Sequence, residues 1–135
     1  MSDATILRAL LVANAPLAAV VAPEKIFFGA VKQGTVLPAL VLNTISSVER
    51  KRVRDEGAFS LVTSRTQVTV KAKSYAEQKE VLRLLGLAVK GGRRVVAGVL
   101  VANAERDIVG PDLSDGDAGI FEQTQDFRLI YYQPL

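Results

Sequence analysis

The chain has 135 residues, 17 basic and 14 acidic, for a net charge of +3, with 49% hydrophobic and 6% aromatic residues and no cysteine, histidine or tryptophan. These figures exclude disulfides, thiolate or imidazole metal sites, cysteine nucleophiles and any base that needs an imidazole. So mild a charge is far from the basic stripe of a dedicated nucleic-acid binder, and the aliphatic excess predicts a single domain over residues 1–135 with a core of Val, Leu, Ile and Ala.

The apolar stretch Ile6 to Val21 is broken by Arg8, Asn14 and Pro16 and is shorter than a membrane span, so it reads as soluble helix. Ser2 or Asp3 is placed to cap a first helix with Ile6, Leu7, Leu10 and Leu11 at helical spacing and Arg8 outside. Asn14 ends it. Pro16 suits the first turn of a second helix through Val21, and Pro23 stops that one.

Lys25 to Phe28 is a short strand, and GAVKQGTVLP is a glycine-bearing loop. Ala39 to Ile45 is a nearly continuous apolar run, expected as a central strand buried on both sides. Ser46 to Gly57 (SSVERKRVRDEG) is densely charged and aperiodic, which predicts an exposed arm or long hairpin loop, with residues 46–61 as its full extent.

From Thr66 to Ala72 the period is two: Thr66, Val68, Val70 and Ala72 share one face, and Gln67, Thr69, Lys71 and Lys73 the other. At Ser74 the period changes to about 3.5, and Ser74 with Glu77 forms an S-x-x-E capping box. The stripe Val81, Leu82, Leu84, Leu85, Ala88 and Val89 then predicts a helix, stopped by Gly91 and Gly92. Val95 to Ala104 reads as one strand with a bulge or a close backbone approach at Gly98, residues 105–119 as a long loop, and Ile120 to Tyr132 as a last strand that Pro134 ends at the edge or tip of the sheet. This order indicates an α+β fold: a mostly antiparallel sheet, helices packed on one face, and a protruding hairpin arm.

The chemical motifs read more simply as structure. GAVKQGT has two glycines at P-loop spacing, but Thr35 follows Gly34 where a lysine is needed, and a strand follows in place of a helix. Asp112, Asp115 and Asp117 surround a glycine, yet their spacing fails the calcium-loop pattern. Arg50, Lys51, Arg52 and Arg54 could contact phosphates, which makes a nucleic-acid-binding module the competing functional class; acidic neighbours and the lack of interleaved aromatics weigh against it. Tyr131 and Tyr132, being adjacent, place one ring inside the sheet and one outside. No pair of groups forms a recognisable acid and base, so no catalytic residue, cofactor or metal is expected.

Several stretches carry a resemblance in layout over nearly the whole chain: ILRALLVANAPLAAVV at the start, KIFFGAVKQGTVLPALVLNTIS, TQVTVKAKSYAEQKEVLRLL, and VLVANAERDIVGPDLSDGDAGIFEQTQDFRLIYYQ at the end. In these the chain resembles the tail-completion or tail-terminator (head–tail joining) proteins of long-tailed bacteriophages, which occur also in prophages and gene transfer agents. The resemblance implies a non-enzymatic virion component. Such a subunit forms a ring, usually a hexamer, that caps the tail tube and receives the head. Its partners would be copies of itself, the tube protein and a head-side connector, with DNA passing through the ring and no membrane involved. It would be assembled in the host cytoplasm and end at the head–tail interface of the virion. Under that reading the contact candidates are Val48, Arg50, Lys51, Arg52, Arg54, Phe59, Asp112, Asp115 and Asp117.

Overall fold

A computed structural model describes residues 2–51 and 59–134, with helices α1 (Ser2–Val12), α2 (Ala15–Val20) and α3 (Tyr75–Ala88), and strands β1 (Ile26–Phe28), β2 (Ala39–Lys51), β3 (Phe59–Ala72), β4 (Arg94–Val96), β5 (Val99–Val109) and β6 (Phe121–Pro134). The strands form one sheet in the order β1-β2-β3-β6-β5-β4. Among the described residues only the β1–β2 pair is parallel.

The alternation in β3 runs the full strand, every even-numbered residue from Ser60 to Ala72 being buried. The helices pack on that face. Ile6, Leu7 and Leu11 of α1, Leu17 of α2, and Val81 and Leu85 of α3 are fully buried in one cluster with Leu40, Val68, Val70, Phe127 and Leu129 of the sheet. Each such side chain contributes roughly 1.5–3 kcal/mol. The expected layering is observed: a mostly antiparallel sheet backed on one side by helices.

Local signals account for the helix ends. Ser74 Oγ accepts from the Glu77 amide at 3.1 Å, while the Glu77 carboxylate accepts from the Lys73 amide, one residue before the cap, at 3.1 Å. Asn14 closes α1 and caps α2 by accepting from the Leu17 amide at 3.0 Å. Asp3 is no cap. It lies inside α1, 6% exposed, and its carboxylate accepts from the hydroxyls of Thr44 and Thr66, which ties the helix to β2 and β3. Arg8, expected outside, donates to the Pro23 carbonyl at 2.9 Å.

Two expectations are corrected. Helix α3 ends at Ala88 with Val89 in an extended cap, short of the glycines, and the Arg94 guanidinium donates to the Lys90 and Gly91 carbonyls just beyond. Val95 to Ala104 is two strands: Ala97 (φ 50°) and Gly98 (φ 78°) make a two-residue hairpin turn between Val96 and Val99, where a bulge or a close backbone approach was expected. Of the two places expected for Pro134, edge or tip, it takes the tip: the last strand, β6, lies mid-sheet between β3 and β5.

Candidate assembly interface

The region read as an arm is a continuation of two strands. β2 and β3 stay paired from Ala39↔Lys71 to Lys51↔Ser60, with a bulge between Thr44 and Ser46. β1 covers β2 only at Leu40–Leu42. From Asn43 onward β2 therefore has a free outer edge among the described residues, and Thr44 to Arg50 are all exposed. The charged sequence lacks a period there because neither face of β2 is buried.

The bulge also exchanges the faces of the strand. Beyond it Glu49 lies opposite Val62, on the helix side, and accepts from the Ser60 hydroxyl. Val48 and Arg50 lie opposite Thr63 and Leu61, on the side away from the helices. Val48 is 52% exposed and Phe59, opposite Pro134, is 48% exposed. Lys51 is the last described residue of β2, and Arg52 and Arg54 lie outside the described residues.

The stretch read as the 105–119 loop is shorter than expected and tethered. β5 runs to Val109, after which the Gly110 and Leu113 amides donate to the Thr124 and Glu122 carbonyls, both at 2.9 Å. Asp115 and Ile120 exchange two backbone hydrogen bonds. The Asp115 carboxylate accepts from the Asp117 and Ala118 amides at 3.1 and 3.2 Å, a local turn bond. Asp112 instead pairs with Lys79 at 3.3 Å. The three carboxylates serve separate ends, and no metal-holding cluster of three or more acidic groups is found among the described residues.

Lys79 links this stretch to α3. Its ammonium also donates to Gln123 at 2.6 Å and stands 4.8 Å from the centre of the Tyr75 ring. Desolvation pulls its pKa down, but the bonds with Tyr75 and Asp112 outweigh this and hold it above the usual lysine value. The latch leaves no direct sign in the sequence, because Asp112 and Gln123 lie 33 and 44 residues from Lys79.

The sheet face away from the helices carries cross-strand ion pairs. Arg65 meets Asp126 at 2.7 Å and Asp107 at 3.8 Å, Lys71 meets Glu122 at 3.1 Å, and Arg128 meets Glu105. A shallow depression of about 400 Å³ on this face is lined by Gly29–Val31, Val41, Asn43, Thr69 and the Lys71–Glu122 pair. Its charged groups are already matched, so it offers no activated acid, base or nucleophile. Tyr131 is buried and Tyr132 half-buried, with Arg93 5.9 Å from the Tyr132 ring.

The fold is shared with a known virion chain. One solved chain, from a structure described as the virion of a native gene transfer agent particle, shares the fold with a TM-score of 0.69 at 17% identity, over 96% of this chain and 94% of that one. No curated protein matches. The family model for tail completion protein gp17 matches residues 5–132, nearly the whole length, and the chain belongs to that family.

Proposed function

We propose that this chain is a structural, non-enzymatic subunit of a phage-type virion, which forms a ring on the end of the tail tube and joins it to the head. Family membership supports the tail-assembly role, and a fold shared with a chain of a gene transfer agent virion fits it. A hexamer is the expected ring, seated between the tube protein and a head-side connector, with DNA passing through its centre. The whole chain acts as one domain. The observation that carries the reading is the outer half of β2, exposed along its length while its partner β3 is buried on one face. A monomer gains nothing from such an edge, whereas a ring subunit needs surfaces for its neighbours.

The 46–61 segment contributes Val48, Arg50, Lys51, Arg52, Arg54 and Phe59 to those contacts, and the Asp112, Asp115 and Asp117 stretch supplies a second surface. Deleting Val48 to Glu56 leaves a folded monomer that no longer forms rings; rings of unchanged size by light scattering dispose of the assignment. The nucleic-acid reading of the basic segment predicts instead a DNA affinity that falls steeply with salt and loses about one unit of salt slope for each phosphate-contacting residue removed.

A further inference from the structure

We infer that adjacent copies of this chain join by strand pairing, the outer edge of β2 in one copy meeting the outer edge of β5 in the next, so that the sheet continues from subunit to subunit. This rests on the ring reading above and names its contact. Among the described residues, β2 is open from Asn43, where β1 stops, and β5 is paired with β4 only at Val99–Val101. The turn at Gly91 and Gly92 lies beside Asn103, so the open part of β5 is Glu105–Val109.

Strand direction favours this junction. β2, β3, β6 and β5 alternate in direction, so β5 and β2 of one copy are antiparallel. A neighbour related by rotation about an axis along the strands keeps its β2 direction. Its β2 therefore meets β5 as an antiparallel pair. Joining β2 to β2 with the same sense of pairing requires an inverted copy, which closes a dimer and never a ring.

Height favours it too. Ser46 pairs with Arg65, Arg65 with Arg128, and Arg128 with Glu105; Leu42 pairs with Val68, Val68 with Gln125, and Gln125 with Val109. The open stretch Asn43–Ser46 thus stands level with the open stretch Glu105–Val109. A closed ring has no rise between subunits, so only level edges meet.

Both edges carry exposed apolar side chains in this stretch: Ile45 is 49% exposed on β2, and Ile108 and Val109 are 54% and 55% exposed on β5. Each edge also has a bulge here, at Thr44/Ser46 and between Arg106 and Val109. Bulges deny a flat foreign strand a long ladder and keep the junction short.

The chain has no cysteine, so Ile45→Cys and Ile108→Cys introduce the only thiols. Treated with a short bismaleimide, the double variant gives a ladder of covalent multimers up to the full ring on a denaturing gel, while each single variant, whose thiol faces no second thiol across the junction, stays monomeric. Rings of normal mass with no ladder overturn the edge pairing and leave the ring reading intact. Monomers with no ladder, with or without tail tubes, contradict both. Ile45→Lys places a charge on the edge; folded by circular dichroism, it loses ring formation, and normal rings from this variant also overturn the pairing.

Discussion

Arg106 crosses α3 at Gly86, where an added Cβ would stand 2.7 Å from a guanidinium nitrogen and 3.1 Å from Cδ. The glycine opens a groove through which a β5 side chain lies on the helix. Because Arg106 is an exposed residue with a flexible end, it can swing into solvent. Gly86→Ala should then stabilise the chain by up to about 1 kcal/mol, the helix preference of alanine over glycine. Adding Arg106→Ala should restore any part of that gain spent on displacing the arginine. Chemical denaturation of the two single variants and the double reads the difference, and a loss of stability in Gly86→Ala that persists in the double contradicts the account.

Ala97 holds a left-handed conformation, φ 50°, in a two-residue hairpin turn before Gly98. A side chain with a Cβ is unfavourable there by roughly 1–2 kcal/mol, and Asn-Gly is the preferred pair for such a turn. Ala97→Asn should raise stability by about 0.5–1 kcal/mol, read as a higher denaturant midpoint with unchanged slope.

Gln78 is fully buried on α3, and neither its amide nitrogen nor its oxygen has a hydrogen-bond partner among the described residues. Leaving buried polar atoms unmatched costs about 1–3 kcal/mol. Gln78→Met keeps the shape and removes the polar atoms, so it should stabilise the fold by about 1 kcal/mol or more. An equal loss would mean that the amide is matched in solution.

Tyr131 is 4% exposed, and burial raises its pKa above the usual tyrosine value, with the charges of Asp3 and Glu49 acting in the same direction. The unfolded chain releases this proton first, near pH 10, so the folded state binds more protons above that point. The contribution is complete below about pH 10 and is lost as pH rises through the higher folded value. Tyr131→Phe should therefore flatten the fall in melting temperature above pH 10; parallel curves for the two proteins would refute this cause.

The parts legible in sequence are those where one buried face imposes a period. β3 and α3, with the Ser74 cap between them, follow directly from Thr66–Val89, which overlaps one of the stretches that carry the family resemblance. The missed parts lack that constraint. β2 beyond Thr44 is exposed, so its charges hide a strand that pairing alone defines. The turn at Ala97 is invisible because alanine is no turn signal, and the segment after Val109 is held by backbone bonds to β6, which leave no side-chain pattern. Val48, Arg50 and Phe59 are contact candidates in sequence because they fall in the segment read as an arm, whereas the open edges at Ile45 and Ile108 emerge only from the strand order.

The most direct test of the central claim is to mix the purified full-length chain with tail tubes, image the tube ends by negative stain, and measure the free protein's mass by light scattering. The account predicts a ring of protein closing one end of each tube. Bare tube ends beside a chain that stays monomeric would contradict it.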